Sequence, residues 1–474
     1  MRSFPDRLMA KHCVAPVMCA LALLGMVGCT TYDNEFRAVR EHYVAGNHDA
    51  ALAITSGKVK QASAGDALVW EVEDAAIRRA AGRFDESEAA FENAYNRYLA
   101  ALDAAKIRIA QGGAAMLSTP ANLPYDGTGY DGIMINTYQV LNALQKNDKP
   151  GARVHLTRAY VLQQEIVQEN AKRIEQEMEA AGKDANIKKN LDNRESLFEH
   201  ATAEMAPVQS EVNAYADYVN PFTVYLDGLF HLTQANDNSD IERARKSLER
   251  AAAFAPSNAA LQHDLKHASE AVGKPHLPPS VYVMFETGMA PSLEQVRIDI
   301  PIIITVVSYV GISYPKLRLT PEFIPYLNVA AGTGRGRSEL VASMDAIVAR
   351  EFKNNFPSTL TKAIAAAVTK TVASTAANIA AAKSNNAWVK LGSQISTAVY
   401  QAATNVADTR SWQTLPKEFQ VCRLDMPASR EITLSSPHRH WQQAVQLIPG
   451  NTVVVYVKAI QSANTISVNQ FTLD

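Results

Sequence analysis

Cysteine is scarce in this chain, with four among 474 residues. Cys13 and Cys19 fall in an N-terminal segment read below as removable, and Cys29 follows it directly. That leaves Cys422 without an intrachain disulfide partner, and one thiol cannot assemble a zinc site. Between Val421 and Arg423 in a strand-like run, Cys422 reads as a small buried core residue. Long apolar runs are also missing. Beyond the N-terminus the longest is Ile300 to Ile304, with Val306, Val307 and Val310 following, which is strand-sized and β-branched. A membrane-spanning helix needs about 20 apolar residues. An excess of one charge is absent too. The formal net charge is −2, and becomes −4 without residues 1–28, which argues against the basic face that nucleic acid requires.

Catalytic signatures are equally sparse. No Gly-x-Ser-x-Gly elbow occurs, and Cys422 has no base beside it in sequence. Gly332-Thr333-Gly334-Arg335-Gly336-Arg337 lacks the Lys-Ser/Thr ending of a phosphate loop and opens no βαβ unit. It reads as a mobile basic loop whose Arg335 and Arg337 could touch anionic glycan or lipid headgroups. His438-Arg439-His440-Trp441 places two histidines on one strand face without a local Cys, Asp or Glu to complete a ligand set, so a polar loop or strand end is preferred. No catalytic, cofactor-binding or metal-binding residue is assigned, and the chain is read as a non-enzyme.

What is present begins with an address. Arg2, Arg7 and Lys11 precede the short apolar run Val14 to Gly28, and Cys29 follows Met26-Val27-Gly28. This is the layout of a bacterial lipoprotein signal over residues 1–28, with Cys29 as the acylated residue. The alternative is an ordinary secretory signal ending nearby. Thr30, rather than aspartate, favours the outer membrane, with the body facing the periplasm.

From about Thr31 to Ala271 the chain is rich in Ala, Glu, Lys, Arg and Gln at helical spacing. Gly46-Asn47-His48-Asp49-Ala50-Ala51 recurs as Gly82-Arg83-Phe84-Asp85-Glu86-Ser87, 36 residues later. Asn147 to Ala152 and Asp240 to Ala244 are further copies, and Ala51, Ser87, Ala152 and Ala244 sit where paired helices must approach closely. The period suits tetratricopeptide-like repeats, and generic helical hairpins are the plainer alternative. A charged hairpin is expected near 152–214, turning at Gly182, with solvated faces or an arm reaching a partner. Pro275, Pro278 and Pro279 mark a boundary between a repeat domain (29–274) and a C-terminal α+β domain (275–474). Strands are expected at 281–286, 295–304, 306–312, 418–424, 431–434, 452–460 and 465–473, in a mostly antiparallel sheet, with a hairpin-type turn at Gly450-Asn451. A helical insertion is expected at about 338–408. Its Ala-rich stretch from Thr361 reads as a helical hairpin laid on the sheet, or as a membrane-surface or partner-helix contact.

Three phrases resemble a Gram-negative family of outer-membrane-type lipoproteins with a tetratricopeptide-like N-terminal half. They are Pro124-Tyr125-Asp126-Gly127 with Tyr130 and Met134 to Tyr138, then Val283 to Gly288 with Pro291, and Ala407 to Pro416. The resemblance implies a lipoprotein with helical repeats and a C-terminal domain, and no reaction. Within the last phrase, Asp408, Thr409 and Arg410 can close a structural corner anchored by Trp412. The functional alternative makes Arg410 an anion donor and Trp412 a stacking face for sugar or peptide. The expected function is a membrane-tethered scaffold that binds envelope proteins along its repeats. The alternative is a peptidoglycan-binding or glycan-binding protein, or an envelope enzyme, working through the C-terminal domain.

Overall fold

A computed structural model describes residues 31–110, 121, 123–183, 185–190, 199, 219–271, 277–303, 307–383, 406–437, 441–461 and 466–474. The N-terminal half is all-helical: α1 (Tyr32–Val44), α2 (His48–Gln61), α3 (Ala67–Ala80), α4 (Phe84–Ala110), α5 (Gly129–Gln145), α6 (Lys149–Gly182), α7 (Ala185–Lys189), α8 (Pro221–Thr233), α9 (Asn238–Phe254) and α10 (Ala259–Glu270). The repeated phrases lie at the junctions α1–α2, α3–α4, α5–α6 and α8–α9. Three of these junctions share one turn. Gly46, Gly82 and Asn147 have φ of 76°, 75° and 60°. The next residue's N–H reaches back five positions in each: Asn47 to His42 O at 2.9 Å, Arg83 to Arg78 O at 2.9 Å, and Asp148 to Ala143 O at 2.8 Å. This is the left-handed cap that glycine or asparagine adopts at least cost. The fourth junction differs. There Asp237 caps α9 by accepting from the N–H of Ser239 at 2.8 Å and of Asp240 at 3.2 Å.

All the small residues expected at close helix approaches are buried: Ala51, Ser87, Ala152 and Ala244 are each 0 % exposed. Glycines serve the same end elsewhere. A Cβ on Gly132 would lie 2.4 Å from the Tyr98 ring, and one on Gly127, at φ +79°, would lie 2.7 Å from it.

Toward the C-terminus the elements are β1 (Ser280–Thr287), β2 (Ser292–Ile303), β3 (Val307–Arg318), β4 (Asn328–Ala331), β5 (Gly334–Arg337), β6 (Glu339–Ser343), α11 (Met344–Ala382), β7 (Glu418–Asp425), β8 (Glu431–Ser435), β9 (Gln442–Gln446), β10 (Thr452–Ala459) and β11 (Ile466–Thr472). The pairing is mostly antiparallel. A central sheet runs β11-β10-β1-β7-β6, a second runs β5-β4-β8-β9, and β2 and β3 form a ribbon. The parallel pair is β1 with β10.

Strand β1 explains the layering. Every residue of it is buried, and its side chains alternate between two cores. Val281, Val283 and Phe285 face the second sheet with Val329, Ile432, Leu434, Val453 and Val455. Tyr282 and Met284 face the helices, in one core with Phe36, Phe91, Tyr138, Phe222 and Leu248. The result is three layers: helices, central sheet, second sheet. The two halves differ in secondary structure but share a core across the expected boundary.

Four expectations are corrected. Glu339–Ser343 is strand β6 paired with β7, and 406–416 contains no helix, so the described part of the insertion is α11. Gly450-Asn451 links strands of different sheets, because β10 pairs with β1 and β11 and β9 pairs with β8. Gly334–Arg337 is an edge strand. The long charged helix α6 is no free arm: Glu177 is buried and accepts from Lys362 of α11 at 2.7 Å, while Ile187 packs with Phe356 and Leu360. Helix α11 rests on the β2–β3 ribbon through Tyr314, Phe356 and Ile364. Residues 191–198, 200–214 and 384–405 of the expected hairpins lie outside the described residues.

The close approaches give a stability prediction. Ala244→Leu and Gly132→Ala should each destabilise by about 1–3 kcal/mol, because the added atoms meet a packed neighbour. An exposed change such as Glu249→Ala should cost less than about 0.5 kcal/mol. Urea denaturation of the purified protein checks the difference.

Candidate functional site

Residues 406–416 run without regular structure beside α1 and α3. Trp412 is 1 % exposed, with its ring centroid 5.8 Å from Phe91 and 5.9 Å from Tyr138, and its Nε1 donates to Thr414 Oγ1 at 2.9 Å. It therefore offers no stacking face. Arg410 is also buried, and its guanidinium is fully used. Nε and Nη2 donate to Asp408 at 2.8 and 2.7 Å, Nη1 to Asp66 at 2.7 Å and Gly65 O at 3.4 Å, and Nη2 again to Leu123 O at 2.8 Å. Its Cζ lies over the Tyr125 ring, 5.6 Å from the centroid. The expected role of Arg410 and Trp412 as an interaction surface gives way to the structural corner, since no donor and no ring face is left over.

The backbone of this corner is bound by a buried carboxylate. Glu73, at 0 % exposure, accepts from Gln413 N at 2.6 Å, Thr414 N at 3.1 Å and the Tyr32 hydroxyl at 3.1 Å. Burial pushes its carboxyl up to about 7 against the pull of these donors. Glu351 of α11 does a similar job at the start of α5, accepting from Gly129 N at 2.6 Å and Tyr130 N at 3.1 Å. It too is pushed up to about 7 by burial, with the nearby Asp131 charge adding to the effect. Asp131 accepts from Thr128 N at 2.8 Å and from the Tyr125 hydroxyl, and burial raises it to about 6. These contacts account for the Pro124–Tyr130 phrase as a helix cap.

Between α1, α3 and the corner lies a cleft of about 150 Å³, with Tyr32, Glu35, Asp66, Trp70, Asp408 and Arg410 among its walls. Its charges are already paired. Lys58 donates to Glu35 at 2.6 Å and sits 5.2 Å from the Trp70 ring, and Arg410 holds Asp66 and Asp408. Thr31, the second residue after Cys29 in sequence, also lines this cleft. Asp33 is tied down there by Arg40 and Arg318, and its N–H donates to Thr409 Oγ1 at 3.4 Å.

A second polar cluster lies between helices and sheet. Glu286 of β1, 1 % exposed, accepts from Tyr138 at 2.8 Å, from Tyr456 at 2.6 Å and from Lys458. Although burial opposes it, the Lys458 ammonium holds Glu286 below the usual carboxylate range. Sequence reasoning passed over Glu73, Glu286 and Glu351. The one available signal was a lone carboxylate within an apolar stretch, as in Val283 to Glu286.

Arg335 and Arg337 are exposed on edge strand β5. Cys422 is 5 % exposed, and burial pushes its thiol up to about 12, which makes it inert. Among the described residues no group of three His, Cys, Asp or Glu side chains could hold a metal, and no helix is long and apolar enough to cross a membrane. Cys29 and His438–His440 lie outside the described residues, and Trp441 packs half-buried on the second-sheet core. No family model, curated protein or solved structure matches the chain.

The raised carboxylates make a signed pH prediction. For Glu73 and Glu351 the folded protein binds a proton more tightly than the unfolded chain. Their stabilisation is complete below about pH 4.5 and is lost as pH rises through about 7. Glu73→Gln and Glu351→Gln should each flatten the fall in stability between pH 5 and pH 8, by on the order of 2 kcal/mol. Urea denaturation across that range measures the slope, and an unchanged slope in both variants would refute the assignment.

Proposed function

We propose that the protein is a membrane-tethered envelope scaffold, held by lipid on Cys29 to the outer membrane and binding envelope proteins through its helical half. The observation that carries this reading is the docking of the chain immediately after Cys29. Tyr32 donates to the buried Glu73, and Asp33 is held by Arg40, Arg318 and Thr409. This fixed point at Thr31 is only the second residue after Cys29. At about 3.5 Å per extended residue the body would stand about 7 Å from its anchor. So short a tether suits a platform presented at the bilayer surface rather than a domain ranging far from it.

The helical hairpins are read as tetratricopeptide-like, a reading supported by the turn shared by three junctions and the buried small residues at all four. Their inner apolar surface is covered by the chain's own sheet, with Phe222 stacked on Phe419 at 4.2 Å. A partner is therefore assigned to the outside of α4 and α6. There Leu99, Ile107, Val154, Tyr160, Val161 and Val167 are between 36 and 57 % exposed. Exposed apolar side chains on these two helices, Val154 and Val161 one helical heptad apart, suit contact with a protein partner.

Two measurements test this. Cys29→Ala should abolish incorporation of labelled palmitate and release the protein from membranes. Val154→Asp with Val161→Asp should remove the proteins crosslinked to the intact chain in membrane extracts while leaving the palmitate. Unchanged labelling in the first variant, or an intact chain that crosslinks to nothing, would overturn the proposal.

A further inference from the structure

The second sheet turns one face to the core and the other to solvent. Strand register sets out the solvent face in rows. Arg337, Asn328, Ser435 and Gln442 lie side by side across β5, β4, β8 and β9, and Arg335, Ala330, Thr433 and Ala444 form the next row. Neighbouring strands are about 4.8 Å apart, so each row spans about 14 Å. The first row thus presents a guanidinium, an amide, a hydroxyl and another amide in a line. The second row has small side chains at its two alanines, which lets a flat ligand settle against the sheet.

The two arginines of these rows, Arg335 and Arg337, carry the positive charge of this face. Among the described residues neither has a carboxylate partner. Arg335 is oriented by its own turn, donating to Gly332 O at 2.7 Å and Gly334 O at 2.8 Å. Arg337 is steadied over the Tyr326 ring at 5.7 Å. Their alternation with glycine has a packing cause. A Cβ on Gly336 would lie 2.8 Å from Cys422 Sγ, so β5 presses its glycine face onto the central sheet and turns both arginines outward. Asn328, Thr433, Ser435 and Gln442 likewise have no side-chain hydrogen-bond partner among the described residues. The acid on this face is Glu431, at its far edge opposite Gln446.

From this array we infer that the outer face of the second sheet binds a carboxylated glycan strand, with sugar hydroxyls and amides along the Asn328–Ser435–Gln442 row and a carboxylate at Arg335 and Arg337. Chemistry selects this occupant. A protein partner would want a large buried anchor, and none of the exposed large apolar side chains lies on this sheet. The guanidinium fork suits a carboxylate, and the uncharged amides and hydroxyls suit the sugar between. The assignment does not rest on the lipid anchor or on the partner surface of α4 and α6.

The test is calorimetric titration of the purified full chain with an oligosaccharide of alternating N-acetylglucosamine and N-acetylmuramic acid. A chitin oligomer of the same length serves as the neutral counterpart. The carboxylated oligomer should bind more tightly. Arg335→Gln with Arg337→Gln should weaken it by about tenfold or more and erase the preference. Asn328→Ala with Gln442→Ala should weaken both oligomers. All are surface changes, and an unshifted thermal melt would show that each variant folds. Absence of binding by the intact chain, or full binding by the arginine variant, would overturn the proposal. So would arginine-dependent binding to anionic lipid vesicles or an acidic peptide without binding to the glycan.

Discussion

Strand β1 is apolar on both sides, and this constraint sets the architecture. A strand with Val281, Val283 and Phe285 on one face and Tyr282 and Met284 on the other is stable only if both faces are covered. Its two hydrogen-bonding edges must also be filled, and β10 and β7 fill them. The helices cover one face and the second sheet the other. Helical hairpins and sheet therefore depend on each other, because each buries apolar surface the other would leave in water. A chain truncated near residue 274 would expose Phe222, Tyr138 and Phe91 together.

Burial of apolar area is non-directional and would permit many relative placements of the layers. Polar contacts across the interface narrow them. Asp264 of α10 accepts from Tyr225 of α8 at 2.9 Å and Tyr282 of β1 at 2.7 Å, which ties two helices to one strand. Glu286 collects Tyr138, Tyr456 and Lys458 at the other end of β1. Glu73 holds the 413–414 backbone. A buried ion or carboxylate is a weak source of net stability, since desolvation offsets most of the attraction. Leaving any of them unpaired is costly, however, and that cost opposes alternative registers.

Local features were legible in the sequence. The strands at 280–287, 418–425, 452–459 and 466–472 follow from short β-branched runs, and the helical hairpins follow from a repeated phrase whose glycine and asparagine adopt the conformation they favour. What escaped was non-local. Gly450-Asn451 has the composition of a hairpin turn, but whether its flanking strands pair is decided by partners elsewhere in the chain, here β1 and β11. The Gly332–Arg337 phrase looked like a loop because glycine is poor in strands. Gly336 answers instead to the Sγ of Cys422, a contact across 86 residues of chain that no local window contains.

The same lesson separates the two groups of arginine that the sequence offers as candidate anion contacts. Type and spacing cannot tell a structural cation from one free to meet a ligand, because both are arginines near polar and aromatic neighbours. The count of donors already used can. Arg410 spends its guanidinium on two carboxylates and two backbone carbonyls, so any new anion would have to displace these partners. Arg335 satisfies one nitrogen on its own turn, and among the described residues Arg337 has only an aromatic ring beneath it. Both are held in place yet electrostatically unspent, so a ligand meeting them avoids most of the ordering and exchange costs that Arg410 would impose. Glycine packing behind the strand creates that condition, and in this respect the fold and the binding face have a single origin.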